Sequence, residues 1–211
     1  MTRCSGHRLR DFGLRSAFAL VFLLGLISFP QRSIAQETIV NFDPAHTQIS
    51  MTLDATMHTV HGTFKLKAGE IRFDPQTGKA QGEFVIDATS GDTDNSSRDK
   101  KMHEEVLESS RYPEITFLPD QVKGTIPANG TAQMPLSGTI RIHGQEHPLA
   151  FEAGVDAPSG NRIHVKAEFS VPYQKWGMKN PSNFLLRVGD TVEIEIDAVA
   201  RLGPLSASAT P

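Results

Sequence analysis

Residues 98–117, RDKKMHEEVLESSRYPEITF, read as a short helix that ends at a proline and runs straight into a strand. The polar run before it, Asp92 to Ser97, offers N-cap side chains for the first helical amides, and Asp99 puts negative charge in the first turn. Met102 and Val106 are four apart, as are His103 and Leu107, so one stripe is apolar. Lys100, Lys101, Glu104, Glu105 and Glu108 cover most of the remaining faces. A helix with that stripe must lie on something hydrophobic. Tyr112-Pro113 stops it, because proline has no amide hydrogen and disfavours α geometry in the residue before it. Ile115-Thr116-Phe117 then alternates with strand period.

On both sides of this stretch the apolar residues alternate. Ile49, Met51 and Leu53 share a face; Phe64 and Leu66, then Ile71 and Phe73, continue it across an expected turn at Ala68-Gly69. Phe84 and Ile86 precede the helix, and Leu136, Ile140 and Ile142 follow it. Turn residues punctuate the series at Asp74–Gly78, Pro127–Gly130, His143-Gly144 and Pro158–Gly160. The last strand is the cleanest, with Val192, Ile194, Ile196 and Ala198 on one side and Glu193, Glu195 and Asp197 on the other. About eight strands, each with one apolar face, must bury those faces against each other, and closing the sheet removes its edges. The fold class is therefore all-β with one short helix. Periodicity alone leaves open whether the sheet is a sandwich or a barrel.

The first 35 residues differ from the rest. Arg3, Arg8, Arg10 and Arg15 precede an apolar run from Ala17 to Phe29, and Ser33-Ile34-Ala35 follows with small residues at both cleavage-determining positions. This order predicts a secretory signal peptide over 1–35, cut before Gln36, and a periplasmic or secreted product; a retained anchor would need a longer apolar run. Five arginines and one aspartate would leave with it, taking the formal net charge from −3 to about −7. Such a chain does not suit nucleic acid. The single cysteine, Cys4, would also be lost, which excludes thiol chemistry in the mature protein. One domain is expected over 36–201, and a frayed polar tail over 202–211.

The order of these features resembles the YceI-like family of lipocalin-like, lipid-binding proteins. The residues that carry the likeness are Ile86-Asp87-Ala88, Arg98-Asp99, the helix and Tyr112-Pro113-x-Ile115-x-Phe117. Asp43-Pro44-Ala45-His46 before the first long strand, Val60-His61-Gly62-x-Phe64, His143-Gly144, Trp176-Gly177-Met178 and Val188-Gly189-Asp190 fall in the same order. The likeness spans roughly Thr38 to Arg201. It implies an extended antiparallel lipocalin-like β-barrel with the helix at an opening, and a non-enzymatic carrier for a polyisoprenoid or other amphiphilic lipid. No catalytic residue, metal or cofactor is expected beyond the bound lipid, and contact with a membrane or membrane protein would be transient.

Strand phase makes Phe64, Phe73, Phe84, Ile86, Phe117, Ile140, Phe151, Phe169 and Ile194 the candidate lining of a tunnel, with Trp176 as a core or mouth-closing aromatic. A prenyl tail of about forty carbons there, at about 0.3 kcal/mol per heavy atom, would supply on the order of 12 kcal/mol. Arg98 lies four before Met102 and so extends the apolar stripe. A guanidinium so placed needs a partner, either an aspartate among Asp87, Asp92 and Asp94 or the anionic headgroup of a ligand. The usual enzyme motifs are absent. A hydrolase or isomerase would have to use His143, His147 or the carboxylates of the last strand, and a packed barrel would serve only as an interaction module. His58 with His61, and His143 with His147, lack the further ligands of a metal site.

Overall fold

The computed structural model describes residues 37–56, 58–182 and 187–203. Eight antiparallel strands form a closed barrel in chain order: β1 (Thr38–Asp54), β2 (Thr59–Phe73), β3 (Ala80–Asp92), β4 (Glu114–Val122), β5 (Gly130–Ile142), β6 (Gln145–Ala157), β7 (Arg162–Val171) and β8 (Val192–Leu202). β8 returns to pair with β1, so no edge is left exposed. The apolar alternation thus resolves as a barrel rather than a sandwich. The leader expected over 1–35 and the tail beyond Gly203 lie outside the described residues. Leu202 itself still belongs to β8, and the Gly203 amide donates to the Ile39 carbonyl at 2.8 Å, so the ordered wall reaches slightly past 201.

Three local expectations change. Asp43-Pro44-Ala45-His46 lies inside β1 as a bulge, where pairing shifts register against both β2 and β8. The Asp43 side chain accepts from the Ala45 amide at 3.0 Å, and Pro44, which cannot donate to a ladder, is tolerated at such a break. The turn expected at Ala68-Gly69 is also a bulge: β2 runs on through it, with register slipping between Leu66 and Ala68. Gly69 is needed for room, since a methyl group there would lie 3.1 Å from both Phe42 and Phe84.

The helix is shorter than its sequence pattern. α1 (Ser96–Lys101) starts at Asn95, whose side chain accepts from the Arg98 amide at 3.1 Å. It continues as a π-helical turn over Met102–Val106, with the Leu107 amide donating to the Met102 carbonyl at 2.8 Å. Glu108 then takes φ +46° and the helix ends well before Pro113. The extra residue in the π turn brings Met102, Val106 and Leu107 together onto the barrel side. His103 anchors the segment through Nε2 to the Gly91 carbonyl and Nδ1 to Ser109 Oγ, both at 2.9 Å. A carbonyl can only accept, so Nε2 carries a proton and donates to it.

Inside the barrel the side chains fall into two clusters. The end away from the helix is packed by Val40, Ile71, Phe73, Met134, Val155, Ile163 and Ala200. Ile49, Leu66, Phe84, Ile115, Phe117, Ile140 and Ile196 belong to the cluster on the helix side. Phe42, Leu136 and Val165 touch both.

Candidate functional site

A cavity of about 380 Å³ lies between the helix and the barrel. Its walls are apolar residues from seven strands, among them Ile49 and Met51 of β1, Val60 of β2, Ile115 of β4 and Ile142 of β5. Met102, Val106 and Leu107 close it from the helix side, and Tyr173, Met178 and Val188 from the β7–β8 connection. On the scale of a cavity of about 150 Å³ that accepts benzene, this volume holds about fifteen carbons. That is well short of a forty-carbon tail.

Of the candidate lining residues, Phe64, Ile86, Ile140, Phe169 and Ile194 border the cavity. Phe73, Phe84, Phe117, Phe151 and Trp176 do not. Phe73 is buried in the packed cluster at the far end, because its strand phase is right but its position along the barrel axis is not. Phe84, Phe117 and Phe151 sit between the two regions. Phe84 meets Phe42 edge-on at 5.1 Å, Phe117 lies 5.3 Å from Phe151, and Phe151 stacks on Phe169 at 4.9 Å. Trp176 lies against His147, ring on ring at 4.4 Å and 3°.

The mouth holds the polar groups: His58, Thr93, Asn95, Ser97, Arg98 and Lys101. No Asp or Glu is among the described lining residues, although the chain as a whole is acidic. Arg98 makes no ion pair among the described residues, so of the two partners open to it the aspartate is not the one used. Asp87 instead accepts from Thr89, and Asp92 from the Asp94 amide. Arg98 Nε donates to Thr93 Oγ1 at 2.8 Å and Nη2 to the Thr93 carbonyl at 2.6 Å. Thr93 is held in turn by Asp99, which accepts from both its amide and its hydroxyl. Two of the five guanidinium donors are thereby used, and the group is fixed at the cavity wall with donors to spare.

Tyr173 is the main lining residue that strand phase could not reveal, since it follows β7 in a loop. It is 5% exposed, its hydroxyl donates to the Gly189 carbonyl at 2.6 Å, and burial, then the nearby Asp190, pushes its pKa up to about 12. It therefore stays neutral and ties the loop across the opening. Met178, buried beside it, was equally illegible.

The residues the sequence offered to a hydrolase or isomerase stand elsewhere. His143 Nε2 is 3.1 Å from Glu108 Oε1, but without hydrogen-bond alignment, and its ring lies 5.0 Å from Tyr112. His147 is covered by Trp176. On β8, Glu193 accepts from Ser170 and Asp197 pairs with Lys166 at 3.0 Å, outside the cavity. Among the described residues no three His, Asp or Glu side chains gather as a metal site would require.

Comparisons agree with this architecture. BcnA of Burkholderia cenocepacia superposes with a TM-score of 0.62 at 20% identity, covering 75% of this chain and 98% of its own. A polyisoprenoid binding domain from Saccharophagus degradans, implicated in plant cell wall breakdown, gives 0.63 at 15% identity, covering 78% and 98%. The YceI protein of Campylobacter jejuni gives 0.55 at 19%, covering 71% and 88%. At these identities the likeness is one of fold. No curated protein sequence matches. The profile of the YceI-like domain matches residues 41–200, nearly the whole barrel, and the chain belongs to that family.

Proposed function

We propose that this protein is an exported, non-catalytic carrier that holds the tail of one amphiphile, prenyl or fatty, inside the barrel with an anionic head at the mouth. The observation that carries this function is the joining of an apolar cavity to a mouth where Arg98 and Lys101 are the only fixed charges among the described lining residues. Export is supported by the basic, apolar and small-residue order of residues 1–35. A prenyl tail is in keeping with the polyisoprenoid binding domain among the similar structures. Entry and exit would need the helix and the β7–β8 connection to part briefly, and contact with a membrane at that moment would let the tail transfer.

The energies are adequate. About fifteen carbons at about 0.3 kcal/mol each give roughly 5 kcal/mol, and a charged hydrogen bond at the head adds about 1.5–3 kcal/mol. The sum corresponds to a Kd in the micromolar range, suited to a carrier that must also release. A hydrolase or isomerase would need a base or nucleophile beside the tail; His143, His147, Glu193, Glu195 and Asp197 do not border the cavity, and His58 stands at the mouth among the head-binding groups. An interaction module would have no use for the space.

Arg98→Ala tests the head assignment. Because Arg98 bonds Thr93 rather than a carboxylate, its removal strands no buried charge. Calorimetry with farnesyl phosphate is expected to show a loss of about 1.5–3 kcal/mol, while farnesol binds nearly as before. Equal losses for the two ligands would remove Arg98 from the headgroup role, and failure of wild type to bind either would overturn the carrier.

A further inference from the structure

The cavity stops partway along the barrel, and an aromatic layer lies behind its lining residues Ile86, Ile115 and Phe169. On β3, Ala80 belongs to the packed far cluster, Ile86 borders the cavity, and Phe84 lies between them. On β4 the same order runs Val122, Phe117, Ile115. On β6 Val155 belongs to the far cluster, and Phe151 pairs across to Leu136, which touches both regions. Phe84 is tied to Phe42 at 5.1 Å, Phe117 to Phe151 at 5.3 Å and Phe151 to Phe169 at 4.9 Å, and together these rings form a floor behind the cavity lining. Beyond it lies a gap of about 40 Å³, bordered by Phe42, Phe73, Leu136 and Val165.

Resting on the carrier function above, we infer that Phe84, Phe117 and Phe151 are a length gauge: they limit the tail to about fifteen carbons, the capacity of the space above them. A longer chain would have to displace these three aromatic side chains together with the lining in front of them, or leave its end in water. The selected ligands are thus prenyl or fatty amphiphiles of sesquiterpenoid size, and long polyprenyl chains are excluded.

The test is a calorimetric series of geranyl, farnesyl, geranylgeranyl and octaprenyl monophosphate, the last delivered in dilute nonionic micelles with a matched blank. For wild type, affinity should rise about tenfold from geranyl to farnesyl, the worth of five more buried carbons, then level off and fall at octaprenyl. Phe151→Ala should join the far gap to the cavity, so that geranylgeranyl phosphate gains about tenfold over farnesyl phosphate. Phe151→Leu, a milder change, should give a smaller shift in the same direction should the alanine variant fail to fold. Phe73→Leu, beyond the floor, should keep the wild-type profile. Affinity that climbs through octaprenyl in wild type would overturn the gauge while leaving the carrier standing. A plateau unmoved in either Phe151 variant would overturn the assignment of the floor. Absence of binding at every length would instead defeat the carrier function itself.

Discussion

Ile194→Trp should weaken binding of farnesyl phosphate roughly thirtyfold and leave the barrel folded. Ile194 is partly buried in β8, paired with Met51 on one side and Phe169 on the other, and all three border the cavity. An indole at this position projects into open volume, so the overpacking cost that a tight core would exact is largely avoided. It takes the place of about six tail carbons, and at about 0.3 kcal/mol each the loss is about 2 kcal/mol. Calorimetry together with a thermal melt reads both quantities. Unchanged affinity in a folded variant would mean that the tail lies somewhere else.

Gly82→Ala should cost at least about 3 kcal/mol of stability, a large share of the 5–15 kcal/mol typical of a domain. Gly82 has φ +111°, which a side chain rarely adopts, and a methyl group built there would lie 2.1 Å from the Glu70 carbonyl oxygen. That oxygen is backbone of β2, so relief requires β2 and β3 to separate and the barrel to open. Gly160→Ala is the control: φ is +118°, but no atom lies within 4 Å of the added carbon, so it reports the backbone cost alone. A domain of this size should lose about 6–12 °C in Tm at Gly82 and clearly less at Gly160. Equal shifts at the two positions would show that the β2–β3 contact is not tight.

The strands were legible in the sequence because period-two alternation and turn residues are local signals, whereas their closure into a barrel is set by long-range pairing and was implied only by the likeness to the YceI-like family. The bulges were not. Ala68-Gly69 carries a turn's composition, yet its glycine answers to Phe42 and Phe84, which arrive from β1 and β3. The helix start was legible from Asn95 and the polar run around it. Its early end was not, since the π turn and the positive φ at Glu108 satisfy tertiary ties from His103 to Gly91 and Ser109.

Candidate lining residues separated for a related reason. Strand phase tells which side chains face inward, and Phe64, Ile86, Ile140, Phe169 and Ile194 do border the cavity. It carries no information on depth along the axis, so it could not distinguish them from Phe73 at the packed end or from Phe84, Phe117 and Phe151 at the floor. Trp176, Tyr173 and Met178 come from a loop whose path no periodicity describes. Arg98 was singled out by its place on the helical stripe, and it does reach the cavity wall. Its Thr93 partner, six residues from the Asp99 that steadies it, was hidden because threonine beside a cap reads as ordinary turn chemistry.

Native mass spectrometry of the protein, exported and purified without detergent, tests the central claim most directly. The expected spectrum shows the folded barrel carrying one amphiphile, which organic extraction releases as an anionic lipid with a tail of about fifteen carbons. A homogeneous ligand-free barrel that also fails to take up added farnesyl phosphate would contradict it.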